Sequence, residues 1–242
     1  LNISAGMRKA VSIYILIPLI LVPQLLLGGA MIKFDDLHKS ISKKIYVPVV
    51  GDIMLTRCSY EALSVEQFKS NKFEKPFFKY DMEISQNDWY ASFLLPTLKV
   101  KVDECLAVGK VPDYREYSES NFKKINYHIK DLSPLSGIKP WKWISSLNYK
   151  GFNEFVACEA KVYLDSLRSS FRIKSRSISY TRDTLYKQIA SRMGEDEFIK
   201  MRGKDYNESL ANILLNRLAT SKIYDAEDKL VQKADPVFML PG

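Results

Sequence analysis

The segment from Ala10 to Ile32 contains 23 consecutive residues without a charged side chain. A helix of this length spans roughly 35 Å, enough to cross the roughly 30 Å hydrocarbon layer of a membrane with some tilt. Pro18 and Pro23 each remove a backbone hydrogen bond, which membrane helices tolerate where neighbouring groups satisfy the freed carbonyl. Gln24 is polar at membrane depth, so we expect its side chain to face protein or a cavity. The segment therefore predicts a transmembrane helix.

Three interpretations of this segment compete: a helix of a larger permease, a signal anchor for one extracytoplasmic domain, or a cleaved secretory signal that starts at Met7. The apolar part of a signal peptide is about 7–15 residues long, so the third interpretation is disfavoured. A lipoprotein signal would place a cysteine at position 31, where the chain has Met31. Arg8 and Lys9 precede the segment, which favours an extracytoplasmic position for residues 33–242.

The chain begins at Leu1 and has no closing element at Gly242, so we expect a piece of a longer protein. Basic residues outnumber acidic ones by 36 to 28, and both are interspersed along the sequence. The densest basic patch, at 168–192, is interpreted as a solvated face, with anionic lipid headgroups or an acidic partner as alternatives. It lacks the interleaved aromatic residues of RNA-recognition domains, so nucleic acid is not an expected partner.

The sequence offers little catalytic chemistry. It has two histidines, His38 and His128, and neither has a cysteine or second histidine at metal-ligand spacing. Cys58, Cys105 and Cys158 lie far apart and are interpreted as small buried apolar residues, with one disulfide and one free thiol as the alternative. Phosphate-binding loops and nucleophile elbows are absent from the sequence. We therefore predict no catalytic residues, no metal site and no cofactor in this chain.

A charged segment follows the apolar one. Arg57 and Glu61 are four residues apart, a spacing that pairs them on one helical face and lowers the cost of holding charge near lipid. An ordinary surface ion pair is the alternative. The residues that carry a wider resemblance are Pro23-Gln24, Gly28-Gly29, Arg57, and Tyr60-Glu61-Ala62-Leu63, with Glu66-Gln67-Phe68 where an Asn-Glu-Phe would be typical. With Cys58 as a departure from an aromatic position, this pattern resembles ABC-2-type permeases, especially the G-subfamily of ABC exporters.

The resemblance implies one transmembrane helix in residues 1–32, re-entrant or interfacial helices in 33–70, and a helical extracytoplasmic domain in 71–242 that lacks the final membrane helix. It implies a location in the inner membrane, with Arg57 and Glu61 as a gating or structural pair. The expected partners are an ABC ATPase domain that binds ATP and Mg²⁺, a second permease half, membrane lipids and a periplasmic protein. The alternative function is a signal-anchored helical binding domain without transport activity.

The fold class predicted for the chain is mainly α, because apolar residues recur at helical spacing. The stripes are Leu94, Leu98, Val102 and Leu106; Phe122, Ile125, Ile129 and Leu132; Phe152, Phe155, Val156, Ala160, Tyr163, Leu164, Leu167 and Phe171; and Leu185, Ile189 and Met193. Pro134 with Gly137 and, further on, Gly194 are predicted helix stops. Alternation at 173–180 predicts a short strand or an extended linker, and Asp205 with Glu208 has the spacing of a capping box.

Overall fold

The computed structural model of the protein describes residues 10–27, 55–215, 223–226 and 228–232. It describes their side chains except at 10–13, 23–27, 55–57 and 213. The chain divides into two compact units, Leu1–Ser70 and Asn71–Gly242. The described residues are mainly helical, as the apolar periodicity predicts.

The first unit contains helices α1 (Ala10–Leu27) and α2 (Leu55–Lys69), which contact each other. Of the predicted 23-residue helix, the part up to Leu27 is helical, and residues 28–32 lie outside the described residues. Residues 33–54, the first part of the predicted re-entrant or interfacial region, also lie outside them. Among the helices described, none combines the length and the apolar character needed to cross a membrane.

The second unit is built from six helices and a hairpin within its described residues. In chain order these are α3 (Phe78–Trp89), α4 (Leu95–Val108), α5 (Arg115–Ser136), α6 (Glu154–Met193), α7 (Glu195–Asp205), α8 (Glu208–Leu214), β1 (Ile223–Ala226) and β2 (Lys229–Gln232). A π turn, Tyr90–Leu94, joins α3 to α4, and short 3-10 turns occupy Pro112–Tyr114 and Ile144–Ser146. The strands pair antiparallel, with Asp225 opposite Leu230.

The core of this unit lies where α4, α5 and α6 pack together. The predicted stripes supply it, and their most deeply buried members are Leu98, Val102, Ile125, Ile129, Leu132, Ala160, Leu164 and Leu167. Leu106 is only partly buried, and Phe155 is 56% exposed, so its assignment to the buried face is wrong. The apolar periodicity therefore identifies the three core helices and most of their inward-facing residues.

Pro96 lies in the first turn of α4, where the helix changes its hydrogen-bond pattern. Proline has no N–H to donate, and its ring crowds the carbonyl four residues earlier. The preceding π turn accommodates it: the Leu95 amide bonds to the carbonyl of Tyr90, five residues back, instead of to Ala91. The Ala91 carbonyl is then free to accept a 2.9 Å hydrogen bond from Nε of Arg168 on α6. This bond fastens the π turn to the longest helix.

Helix α6 is 40 residues long and continues through 173–180, so the predicted strand or linker is wrong there. The alternation of IKSRSISY is accidental, because Ser175 lies four residues after Phe171 and continues the buried helical face. Asn153 caps the N-terminus by accepting a 2.9 Å bond from the Val156 amide. The predicted stop at Gly194 is confirmed, with φ of 87°.

Other helix ends agree in part with the sequence. Helix α5 runs through Pro134, so the predicted stop there is wrong, whereas the stop at Gly137 is confirmed by its left-handed φ of 77°. The capping box at Asp205 and Glu208 is wrong, because α8 is capped by Asn207, which accepts from the Leu210 amide at 3.0 Å. Asp205 is instead the last residue of α7.

Candidate functional site

The predicted site residues lie on the two helices of the first unit. Gln24 is in α1, and its side chain lies outside the described residues, as does that of Arg57 on α2. The backbone of α2 places Arg57 and Glu61 one turn apart, and Glu61 is half-buried. The geometry of the predicted pair is therefore not described, and the pair stays a prediction.

Helix α1 has apolar side chains on all sides. Six large ones are 47% to 77% exposed, namely Tyr14, Ile15, Ile17, Leu19, Leu21 and Val22, while Leu16 and Ile20 are half-buried. Successive residues of a helix point about 100° apart, so nine described positions cover the whole circumference. Burying one such side chain is worth roughly 1.5–3 kcal/mol. Exposure of these side chains to water is therefore unfavourable.

A charged aromatic cluster, defined by Glu74, Asp81, Arg182 and Arg202 with Phe73 and Phe77, lies in the second unit. Glu74 precedes α3, Asp81 is in the first turn of α3, Arg182 is on α6, and Arg202 is on α7. Nε of Arg182 lies 3.0 Å from Oδ1 of Asp81. The Arg182 guanidinium also lies over the Phe77 ring at 5.6 Å, and that of Arg202 over Phe73 at 5.8 Å. Three helices thus meet around two carboxylates and two cations.

The carboxyl groups of this cluster have altered acidity. Burial raises the pKa of Glu74 to about 7, and the negative charge of Asp81 adds to the effect, while Arg182 and Arg202 oppose it. Burial also raises the pKa of Asp81, against the attraction of Arg182. Removing a carboxylate from water disfavours its charged form, and a second carboxylate nearby does the same. The cluster can therefore take up a proton close to neutral pH.

A second polar contact holds the hairpin on α5. The buried His128 accepts a 2.9 Å hydrogen bond at Nε2 from the amide of Leu230 on β2. Beside it, Nζ of Lys124 lies 2.6 Å from Oδ1 of Asp225 on β1. Burial lowers the pKa of His128 to about 4, and the charge of Lys229 contributes. The imidazole is therefore neutral at pH 7 and acts as an acceptor at this contact.

These arrangements bind protons and fix helices. In the residues described, no group of three histidine, cysteine or acidic side chains is placed to hold a metal ion. Cys105 is buried, and burial raises its thiol pKa to about 11. Cys58 and Cys158 are free and exposed, so the interpretation of three buried cysteines is wrong for both of them.

The sequence did not indicate the charged aromatic cluster or the contact of His128 with the hairpin, and the reason is the same for both. Glu74 and Arg182 are more than 100 positions apart, as are His128 and Leu230. A local sequence signal existed only for the hairpin, whose Ile223, Tyr224, Leu230 and Val231 flank an acidic turn. Comparisons with protein-family models, curated proteins and solved structures give no match.

Proposed function

We propose that this chain is a piece of the membrane-spanning permease of an ATP-driven ABC-2-type exporter. In this proposal residues 10–32 cross the inner membrane, and residues 33–242 lie on the extracytoplasmic side. The observation that carries it is the uncharged helix α1, on which seven of the nine described side chains are exposed and Leu16 and Ile20 are half-buried. The helix described ends at Leu27, and the uncharged sequence continues to Ile32.

Helix α2 supports the same proposal. Among the ABC-2-type resemblances, those at Arg57, Tyr60 and Glu61 fall on this helix. Tyr60 and Leu63 are exposed at 42% and 71%, while Glu61 is half-buried. A helix that shows apolar side chains next to a pairable acid and base suits the membrane interface, where each group finds its own environment. We therefore propose α2 as a re-entrant or interfacial helix, with Arg57 and Glu61 as its gating or structural pair.

The second unit serves in this proposal as the extracytoplasmic domain. Its core is built from α4, α5 and α6. ATP hydrolysis would take place in a separate ATPase domain, and transport would require a second permease half. In this assignment the second unit takes part in docking or in gating at the exit of the transport pathway. Recognition of the substrate is a property of the complete transporter.

The position of the second unit is tested with the native cysteines of the full chain. Cys158 is exposed on α6, and the buried Cys105 serves as an internal control. In spheroplasts that express a Cys58→Ser variant, a membrane-impermeant maleimide should label Cys158 without lysis, and Cys105 only after denaturation. The chain should also remain in the membrane pellet after carbonate extraction. Labelling that requires lysis, or release by carbonate, would overturn the proposed membrane topology.

Substitutions of the predicted pair, Arg57 and Glu61, distinguish a transporter from the alternative, an anchored domain without transport activity. In the complete transporter, Arg57→Ala combined with Glu61→Gln should change the rate of ATP hydrolysis in reconstituted vesicles by roughly tenfold, as expected for one lost charge-assisted contact of about 1.4 kcal/mol. Lys69→Gln, an exposed site on the same helix outside the resembling residues, is the matched control and should leave the rate unchanged. An unchanged rate in the double variant would remove the gating role. A gene that encodes no ATPase and no further membrane span would favour the anchored domain.

A further inference from the structure

Helix α6 carries an exposed stripe on the side away from the core. The α6 stripe consists of Phe155, Val162, Ser166, Ser169, Ile173 and Tyr180. Its spacings along the helix are 7, 4, 3, 4 and 7 residues, which keeps all six on one side of the helix over about 38 Å. The same spacings are obtained when the stripe is read from either end. The order of residue types is also the same from either end of the stripe: an aromatic residue, then an aliphatic residue, then a serine.

The four large side chains of the stripe are exposed to solvent. Phe155 is 56% exposed, Val162 57%, Ile173 66% and Tyr180 76%. A shallow groove runs over the serines between Val162 and Ile173. Isolated exposed apolar residues are common on protein surfaces, but a regular row at helical spacing is typical of a helix-packing face.

We propose that the α6 stripe is a self-association surface that binds the α6 stripe of a second copy of this chain in the antiparallel direction. A two-fold axis between Ser166 and Ser169 places Phe155 opposite Tyr180 of the second copy. The same axis places Val162 opposite Ile173, and the serines let the two helices approach closely at the crossing. An interface of this kind is isologous, so the same patch must complement itself, as this stripe does.

The charges beside the stripe favour the antiparallel direction. Glu154, Glu159 and Asp165 lie beside its first half, where Lys161 is bound to Asp103 and Asp165 to Lys99, each at 2.8 Å, so Glu154 and Glu159 supply its acidic character. The second half is flanked by Arg172, Lys174 and Arg176 with no acidic residue between them. Antiparallel pairing brings the acidic half of each copy to the basic half of the other, whereas parallel pairing brings like charges together. This inference depends on α6 alone and is independent of the transport proposal.

The experiment uses the full chain in detergent and exploits the expected pairing of Val162 with Ile173. Val162→Glu and Ile173→Lys should each raise the dimer dissociation constant at least about 100-fold, because each puts two charges into apolar layers. An equimolar mixture of the two variants should recover the dimer. In the mixed dimer the introduced glutamate of one copy faces the introduced lysine of the other, and the second layer stays native. Val100→Glu, at an exposed site on α4, is the control and should leave dimerisation unchanged.

Sedimentation equilibrium gives the dissociation constants, and circular dichroism shows that each variant is folded. The direction of pairing is tested with single cysteines at positions 155 and 180 in a chain with Cys58→Ser and Cys158→Ser. The Phe155→Cys and Tyr180→Cys chains, mixed and oxidised, should form the mixed disulfide in preference to either homodimer. A monomeric native chain, no recovery in the charged mixture, or homotypic disulfides would each overturn the proposal.

Discussion

The carboxyl group of Glu74 changes its charge close to neutral pH because the fold encloses it beside a second acid. Its pKa is raised to about 7, first by burial and then by Asp81. An acid whose pKa is raised in the folded state binds a proton more tightly there than in the unfolded chain. The contribution to stability is therefore complete below about pH 4.5 and is lost as the pH rises toward 7.

Glu74→Gln is expected to remove this pH dependence. Relative to the variant, the native chain should lose about 1–3 kcal/mol of unfolding free energy between pH 4.5 and 7, with allowance for solvent screening. The variant keeps a neutral group of the same shape, so it should retain only the opposite dependence that His128 contributes and be more stable than the native chain at pH 7. Urea unfolding at intervals of half a pH unit measures the effect. Glu116→Gln, an exposed acid on α5, should follow the native profile.

His128 has the opposite dependence on pH. Its pKa is lowered to about 4 in the fold, so between pH 6.5 and 4 the unfolded chain binds the proton more readily, and stability falls as the pH falls. His128→Leu should cost about 1–3 kcal/mol at pH 7 by leaving the Leu230 amide without its acceptor, and it should flatten the acid limb. Hydrogen exchange of the Leu230 amide is the direct measurement. Lys123→Ala, which removes an exposed 3.6 Å pair with Asp228, should change stability by under about 1 kcal/mol.

At the scale of elements, the sequence periodicity predicted which helices pack against the common core and most of the residues they bury there. Leu98, Ile125 and Leu164 are buried because each belongs to an apolar row of period 3.6. The period could not reveal that Phe155 points outward or that 173–180 is helical. The first depends on which side of α6 faces the core, and the second on Ser175, a polar residue whose hydroxyl bonds Asp88 of α3 at 2.6 Å. The hairpin escaped because its strands have four residues each, too few for an alternation to be distinctive.

The hydrogen bond from Arg168 to the Ala91 carbonyl of the π turn should stabilise the fold more than contacts of half-exposed side chains usually do. Arg168→Ala leaves the Ala91 carbonyl without this donor in a region where Ala91 and Leu94 are 1% exposed. The expected loss is about 1–3 kcal/mol of unfolding free energy. Arg172→Ala removes an exposed guanidinium one turn further along α6 and should cost less than about 0.5 kcal/mol. Equal losses in the two variants would contradict the anchoring role.

Substituting alanine at two glycines, one at a helix end and one inside a helix, tests how backbone conformation affects stability. Gly137 ends α5 with φ of 77°, and Gly203 lies inside α7 with open space around it. Gly137→Ala should destabilise the chain by about 1–2 kcal/mol, because an L-residue is strained in the left-handed region. Gly203→Ala should stabilise it by up to about 1 kcal/mol, since alanine is the better helix former. Thermal unfolding of both variants against the native chain should show shifts of opposite sign.

At the scale of the whole molecule, the candidate sites depend on contacts that no local segment contains. The charged aromatic cluster brings together residues of α3, α6 and α7, and its acids alone look like solvated surface residues in the sequence. What the sequence does give is the chemistry of each segment, such as the missing charge in 10–32 and the basic second half of α6. Segment chemistry predicts an environment, while a site requires the fold to place distant side chains together.

The proposed membrane position of the chain is tested at α1. Leu19, 66% exposed near the middle of this helix, is the position where a charge should cost most if the helix lies in lipid. Leu19→Arg should weaken insertion by about 2.5–3.5 kcal/mol, the range measured for a charge at the centre of a membrane helix. Most of the variant should then stay in the carbonate supernatant, while the native chain pellets with vesicles. Thr181→Arg on α6 adds the same charge outside α1 and should not change the distribution. Because both variants have the same net charge, a shift confined to Leu19→Arg would trace the partition to α1 itself, and equal shifts would attribute it to surface charge.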